Sequence, residues 1–165
     1  MIVISSIYNE QKNAAPKAPD DINSILKNEY NAKIIKIIRT GLYKFKILKA
    51  FITARLSKDI IILQIPLLAK PFLYNILPIK RCIILIHDIG GLRSQNQKLL
   101  EKELKIFEKF NFIIAHNEKM KSFLVKNNIN KNNIYCIELF DYLINNNKTN
   151  NNKNCNAILY PGNLK

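Results

Sequence analysis

Residues that build metal sites and disulfide frameworks are scarce in this chain. Its 165 residues include three cysteines, two histidines, four glycines and no tryptophan. The cysteines, Cys82, Cys136 and Cys155, lie far apart, and no pair has the C-x-x-C spacing of a zinc site or a redox centre. We therefore expect no disulfide framework, no metal and no cofactor, and a reducing, cytoplasmic setting. The first residues lack a basic segment followed by an apolar core, so no signal peptide is predicted.

Acidic residues are also scarce. The chain has 12 of them against 26 lysines and arginines, a net charge of +14, and residues 33–58 carry eight basic residues and no acidic one. This excess favours an anionic partner such as nucleotide phosphates, lipid headgroups or nucleic acid. The alternative is a solvated, lysine-rich surface that follows from biased composition. Because no RNP motif, zinc finger or glycine-arginine tract is present, a basic nucleic-acid-binding domain is the less favoured interpretation.

One apolar stretch, residues 60–79, is long enough to suggest a membrane span. It contains Pro66, Pro71, Pro78 and Lys70, which are poorly suited to a continuous apolar helix. A strand, a loop and a short helix explain the stretch better.

Short apolar runs alternate with segments of helical periodicity along the whole chain. Strands are predicted at residues 2–5, 32–38, 59–65, 81–86, 112–115, 134–139 and 157–160. Helices are predicted after Asp20, over residues 42–56, near residues 72–76, after Ser94 and after Asn117. This alternation is typical of right-handed βαβ units, so we predict an α/β, Rossmann-like parallel sheet with helices on both faces.

Polar residues are predicted to begin three of these helices. Asp20 and Asn117 each precede apolar residues at helical spacing and can serve as N-caps. Ser94 and Gln97 stand three residues apart in a capping-box pattern ahead of the fourth predicted helix.

The helix from Leu42 to Leu56 is basic and amphipathic. Phe45, Leu48 and Ile52 share one face, and the cations elsewhere on the helix are Lys44, Lys46, Lys49 and Arg55. The more common interpretation is a plain crossover helix. The alternative is peripheral contact with anionic lipid at the inner face of the membrane, or with a lipid-linked acceptor.

The most informative segment is residues 81–93, where a buried strand leads straight into a polar turn. The residues that follow the apolar run are His87, Asp88, Gly90, Gly91 and Arg93. Open α/β sheets bind ligands just beyond the carboxyl ends of their strands, and glycines let a backbone approach closely. We therefore predict that this segment forms the edge of a binding site.

Each polar residue of the predicted site also has a plainer interpretation. His87 can hydrogen-bond a ligand through a neutral imidazole, or it can be satisfied by a loop carbonyl. Asp88 can orient an acceptor hydroxyl or cap the glycine turn. Arg93 can bind a phosphate or a carboxylate, or it can pair with Glu101 or another surface acid.

A second polar pair, His116 and Asn117, follows the next strand and is predicted to face the same cleft. For Asn117, helix capping alone is slightly favoured over ligand binding.

Several segments together resemble one family. In chain order they read KAPDD at residues 17–21, DIIILQIP at 59–66, LIHD at 85–88, LR at 92–93, AHN at 115–117, KM at 119–120, FDY at 140–142 and YPGNL at 160–164. They resemble the bacterial GT-B glycosyltransferases that include the glucosyltransferase-3-like enzymes of serine-rich adhesin glycosylation and the β-1,6-galactofuranosyltransferases.

The resemblance implies an enzyme with two Rossmann-like domains and a sugar nucleotide bound between them. The N-terminal domain would hold the acceptor, and the second domain would supply most contacts to a UDP-sugar donor. A hexosyl or galactofuranosyl group would pass to a glycan, a glycoprotein or a lipid-linked acceptor. His87 would touch the donor sugar near the reacting centre, with Asp88, Arg93, His116 and Asn117 on the acceptor side.

The resemblance also implies a division of this chain. Residues 1–144 would form the acceptor-side domain, residues 145–156 an Asn-rich linker, and residues 157–165 the first strand of a nucleotide-binding domain. Gly162 and Asn163 would belong to its donor phosphate turn. Because the sequence stops near the start of that second domain, we expect weak donor binding and no turnover by this chain alone. The alternative function is a non-catalytic binding or partner subunit, with possible self-association.

Overall fold

The computed structural model describes residues 1–7, 17–39 and 41–137. Predictions that concern the linker at 145–156, the segment 157–165, and Gly162 and Asn163 therefore lie outside the described residues.

Six parallel strands form one sheet. They are β1 (Ile2–Ile7), β2 (Lys33–Ile38), β3 (Ile61–Ile65), β4 (Cys82–Ile86), β5 (Ile113–Ala115) and β6 (Ile134–Cys136), in the spatial order β2-β1-β3-β4-β5-β6. The chain reverses its direction of winding between β1 and β3, which makes a topological switch point. The predicted α/β, Rossmann-like parallel sheet is confirmed.

Helices connect the strands as predicted. They are α1 (Lys17–Tyr30), α2 (Tyr43–Leu56), α3 (Gly90–Arg93), α4 (Gln97–Phe107) and α5 (Glu118–Lys126), with 3-10 helices at Pro71–Ile76, Ile79–Arg81 and Lys131–Asn133. The apolar stretch at 60–79 contains β3, a loop and a 3-10 helix. Within the described part of the chain, no helix is long and apolar enough to cross a membrane.

The sheet carries apolar clusters on both faces. On one face, α1 covers Val3, Ile62 and Leu85 through Ile22 and Leu26. On the opposite face, α2, α4 and α5 pack over the larger cluster, whose members include Ile4, Leu63, Ile84, Phe51, Phe107 and Leu124. The strands alternate between the two clusters because successive side chains point to opposite sides of a sheet. The predicted helices on both faces are thus present.

Helix α1 begins at Lys17, before the predicted cap. Asp20 therefore lies in the first turn, where its carboxylate accepts a hydrogen bond from Lys36 Nζ at 2.7 Å. Pro19 can occupy a first helical turn because the missing amide hydrogen has no partner there. The prediction that Asp20 is the N-cap was wrong.

The predicted capping box at Ser94 was also wrong. The N-cap of α4 is Asn96, whose side chain accepts from Leu99 N at 3.0 Å. The short helix α3 intervenes before α4, and Ser94 is its C-cap, with Oγ donating to Gly90 O at 2.7 Å.

Helix α2 turns its predicted apolar face away from the sheet. Phe45 is 70% exposed and Ile52 is 46% exposed, whereas the residues buried against the sheet are Ile47, Ala50, Phe51 and Ala54. Alanines on the buried face let the helix approach the strands closely, and the Phe51 ring meets the Tyr74 ring edge-on at 5.2 Å between centroids. The face with Phe45, Leu48 and Ile52 is therefore not the core-packing face.

Candidate functional site

His87 stands at the carboxyl end of β4 in a fixed position. Its backbone amide donates to Ile65 O of β3 at 3.0 Å, which continues the sheet's hydrogen bonding one residue past the strand. Its half-buried imidazole places Nε2 2.8 Å from Gln64 Oε1. The predicted strand-end placement of His87 is confirmed, and the polar contact described for its ring is with the side chain of Gln64.

Gln64 is the first of three buried polar residues behind His87. Gln64 Nε2 donates to Asn23 Oδ1 at 2.9 Å, and Asn23 Nδ2 donates to Ser5 Oγ at 3.1 Å. All three side chains are at most 2% exposed. Buried amides are costly without partners, so each member of this polar chain fixes the orientation of the next. Because Gln64 presents its carbonyl oxygen, His87 donates from Nε2, and Nδ1 is the acceptor atom of the ring.

His116 follows β5 and lies beside His87. The ring centroids are 5.5 Å apart with the planes at 69°, an edge-to-face arrangement. Burial, and secondarily the neighbouring His116, lowers the pKa of His87 to about 4. Burial also lowers the pKa of His116, opposed by the negative charge of Asp88. Both rings are therefore neutral near pH 7 and offer hydrogen bonds without carrying charge.

Asp88 and Arg93 form an ion pair at the same edge of the sheet. Arg93 Nη1 lies 2.8 Å from Asp88 Oδ2, and the Arg93 side chain is 60% exposed. The predicted pairing with a surface acid is thus correct, but the acid is Asp88 and not Glu101, which accepts from Gln97. An exposed ion pair contributes little stability, so an anionic ligand could compete for Arg93 at small cost.

The glycine turn is closed by Glu103, a residue that the sequence analysis missed. Its carboxylate oxygens accept from Gly90 N at 3.1 Å and from Gly91 N at 2.8 Å. Asp88 therefore does not cap this turn. Burial raises the pKa of Glu103, although the two glycine amides oppose the shift. The available signal was its spacing: Glu103 lies three residues after Leu100, on the buried face of α4.

The two glycines serve internal packing. A Cβ atom on Gly91 would lie 2.4 Å from Leu100 N, and one on Gly90 would lie 2.9 Å from Glu103 Oε1. The close approach that the structure shows at this turn is between α3 and α4, and an approach toward a ligand stays a prediction.

Two cavities open beside the ion pair. One, of about 340 Å³, is lined in part by Arg39, Tyr43, Arg93 and Glu103. The other, of about 240 Å³, is lined by Asp88, Ile89, Leu92, Lys119, Met120 and Phe123. Arg39 donates to Pro66 O at 2.7 Å and to Ser6 Oγ, which fixes one wall near the switch point of the sheet. The first cavity has the size of a small-molecule site.

Asn117 is the N-cap of α5, as predicted. Its Oδ1 accepts from Met120 N at 2.8 Å, and the residue is exposed. A further role for Asn117 in acceptor binding stays a prediction.

The fold and the site define a Rossmann-like α/β domain with a neutral histidine pair at the carboxyl edge of its sheet. A family model described as "Glucosyltransferase 3-like, N-terminal domain" matches residues 1–139. The chain belongs to this family, which agrees with the predicted resemblance to glucosyltransferase-3-like enzymes and with a glycosyltransferase-related function. No curated protein matches the chain.

Proposed function

We propose that this chain is the acceptor-side domain of a GT-B glycosyltransferase. The intact enzyme moves a hexosyl or galactofuranosyl group from a UDP-sugar to a glycan, a glycoprotein or a lipid-linked acceptor. The observation that carries the proposal is the neutral His87, held by Gln64 at 2.8 Å at the end of β4. Membership of the glucosyltransferase 3-like N-terminal family supports it.

The low pKa of His87 determines which catalytic role its imidazole can have. A ring with a pKa of about 4 is a weak base near pH 7, so it is poorly suited to removing a proton from the acceptor. It is well suited to hydrogen-bonding a hydroxyl of the donor sugar near the reacting carbon. The buried polar chain behind it preorganises that hydrogen bond, which is the form of catalysis that a rigid neutral group can supply.

The acceptor lies on the same edge of the sheet in this proposal. His116 stands against the His87 ring, and Asp88 is close enough for its charge to act on the pKa of His116. Arg93 and Asp88 each line one of the two cavities, so their ion pair lies between the two spaces available to an acceptor. Asn117 completes this set of acceptor-side residues.

Donor binding requires a second domain in this proposal. We assign residues 1–144 to the acceptor-side domain, residues 145–156 to the linker and residues 157–165 to the nucleotide-binding domain, and the parts beyond residue 137 lie outside the described residues. Gly162 and Asn163 contribute to the donor phosphate turn. UDP-sugar therefore binds when both domains are present, in the cleft between them.

A transfer assay tests the proposal. The chain is joined to the second domain of another glucosyltransferase 3-like protein and supplied with labelled UDP-glucose or UDP-galactofuranose, together with glycan, glycoprotein and lipid fractions. We expect label in one acceptor fraction, and none when either domain is omitted. Failure of both donors with a folded two-domain protein would contradict the proposal. Tight association with a complete glycosyltransferase, with no change in transfer on His87→Ala, would favour a non-catalytic partner subunit.

A further inference from the structure

Helix α2 is apolar on two opposite sides. One side packs on the sheet, and the other carries Phe45, Ile52 and Leu56, which are 70%, 46% and 81% exposed. At 3.6 residues per turn, these three positions fall within about 40° of one another around the helix axis. We call them the outer stripe. Leu42, 65% exposed, extends the apolar surface at the start of the helix.

Cations flank the outer stripe on both sides. Helical geometry places Lys44 and Arg55 along one flank and Lys46 and Lys49 along the other, and all four are exposed. In the described ranges 1–7, 17–39 and 41–137, none of the four pairs with a carboxylate. The outer side of α2 is therefore an apolar line between two rows of positive charge.

This pattern differs from ordinary surface hydrophobicity. Phe72, for comparison, is 64% exposed, but it lies on a short 3-10 helix without a second exposed apolar residue beside it in sequence. Single exposed apolar side chains are common and need no partner. Three large exposed side chains aligned on one helix and bordered by lysine and arginine are a pattern typical of the lipid-facing side of an interfacial helix.

We propose that the outer face of α2 docks on an anionic lipid bilayer. Such a surface satisfies both parts of the pattern, because the stripe reaches the boundary between headgroups and acyl chains while the cations meet lipid phosphates. The lysine stems are long enough to extend sideways to the headgroups. A nucleic acid would neutralise the cations but would leave Ile52 and Leu56 against phosphates. A protein partner would need its own rim of acids around an apolar centre.

The position of α2 connects this surface with the candidate site. Tyr43, the first residue of α2, lines the same 340 Å³ cavity as Arg93. A bilayer on the outer face of α2 would therefore lie alongside the carboxyl edge of the sheet. This placement favours a lipid-linked acceptor, and only that consequence rests on the proposed function; the docking itself does not.

Fluorescence tests insertion of the stripe in the full chain. Because the chain contains no tryptophan, Phe45→Trp supplies a single probe on the stripe, and Phe72→Trp is the matched exposed control. We expect the emission of Phe45→Trp to shift to the blue with phosphatidylcholine vesicles containing phosphatidylglycerol, and not with phosphatidylcholine alone. The emission of Phe72→Trp should stay unchanged with both.

Vesicle sedimentation tests the charge on one flank of the stripe. Lys46→Glu/Lys49→Glu should weaken binding to the anionic vesicles by at least about tenfold. Lys98→Glu/Lys102→Glu changes the net charge equally on exposed positions of α4 and should weaken vesicle binding far less.

The triple variant Phe45→Ser/Ile52→Ser/Leu56→Ser tests the apolar stripe. It should also lose vesicle binding while its melting temperature stays close to that of the parent. Raising the salt concentration should weaken binding of the parent.

Four results would overturn the docking proposal. Equal losses of vesicle binding in the two charge-reversal variants would show that binding depends on the net charge of the chain and not on the outer face of α2. Equal blue shifts at positions 45 and 72 would mean nonspecific adsorption. A blue-shifted Phe45→Trp spectrum without vesicles would mean that another part of the chain or a second copy already covers the stripe. A response to duplex DNA but not to vesicles would assign the face to nucleic acid. None of these results depends on sugar transfer, so the proposed function is tested separately.

Discussion

The turns after β4 and β5 begin from nearly the same sequence pattern and reach different structures. Each places a histidine directly after a buried strand, in His87-Asp88 and His116-Asn117. After β4, the imidazole is bonded to Gln64 on β3, and the next residues fold into a short helix closed by an internal acid. After β5, Asn117 simply begins a helix. The pattern of a polar pair after a strand locates a site but does not assign roles to its members.

The difference arises from what neighbouring elements supply. β3 offers the buried amide of Gln64 to His87, and α4 offers Glu103 to the β4 turn. The β5 turn is stabilised by a local hydrogen bond, since Asn117 Oδ1 accepts from the amide of Met120 three residues later. The β4 turn therefore depends on distant contacts, and the β5 turn depends on near ones. We expect substitutions after β4 to have larger effects.

The largest effect should come from Gly91→Ala. Its Cβ would lie 2.4 Å from Leu100 N, a backbone atom that cannot move without shifting α4. We expect a loss of about 3 kcal/mol or more in the free energy of unfolding, measured by urea denaturation. The tightest contact of Gly90→Ala is a side-chain carboxylate oxygen at 2.9 Å, so this variant should cost less, and Gly41→Ala meets nothing within 4 Å and should cost little. A Gly91→Ala protein as stable as Gly41→Ala would contradict the packing described for the β4 turn.

Next in size is the replacement of Glu103 by leucine. This change leaves the buried amides of Gly90 and Gly91 without their acceptor, at about 2–3 kcal/mol. The matched variant is Glu101→Leu on the exposed side of the same helix, which should alter stability by about 0.5 kcal/mol or less. Equal losses in the free energy of unfolding of the two variants, again measured by urea denaturation, would show that Glu103 does not stabilise the turn.

The pH dependence of stability should report the burial of His87. The unfolded chain protonates His87 near the ordinary pKa of 6.5, whereas the fold resists protonation until about 4. The contribution of neutral His87 is thus complete above about pH 6.5 and is lost as the pH falls toward 4. Between pH 7 and pH 5 this amounts to about 2 kcal/mol.

The variant His87→Gln should remove most of that pH-dependent loss, measured as the difference from the parent at each pH. The pKa of His116 is lowered in the same direction, so His116→Gln should change the slope with the same sign. A parent and a His87→Gln variant with the same slope from pH 7 to pH 5 would contradict the burial assigned to His87.

The smallest effect should come from the cap of the β5 turn. Asn117→Ala removes the oxygen that accepts from Met120 N and should cost about 1 kcal/mol. Asn117→Asp keeps that oxygen and adds negative charge at a helix N-terminus, so stability should be retained. If the thermal stability of Asn117→Ala matches the parent, the cap contributes nothing. If Asn117→Asp is stable but lowers transfer in the two-domain protein, Asn117 also has the acceptor role that we propose.

Much of the fold could be predicted because its signals are local. The apolar runs of β3 and β4 are buried along nearly their whole length, and their bounds differ from the predicted ones by only one or two residues. The position of His87 followed from the same signal. Asn117 was identified as a cap because a cap bonds to amides only three residues away.

Other features depended on contacts that the sequence does not display. Gln64 and His87 are 23 positions apart and meet only because β3 and β4 are neighbours. Helix α2 has apolar residues on both sides, so its periodicity alone could not decide whether Phe45 or Phe51 faces the sheet. The prediction of an N-cap at Ser94 was wrong because the intervening helix α3 has only four residues and is too short to give a periodic signal.

The most direct test of the central claim is a paired measurement on His87→Ala in the two-domain protein described above. If His87 hydrogen-bonds the reacting sugar, turnover should fall roughly 10- to 1000-fold, while the melting temperature changes far less. His116→Ala, measured in parallel, should reduce turnover less than His87→Ala, because His116 is assigned to the acceptor side. Near-normal turnover in a well-folded His87→Ala protein would contradict the account and remove His87 from the transfer site.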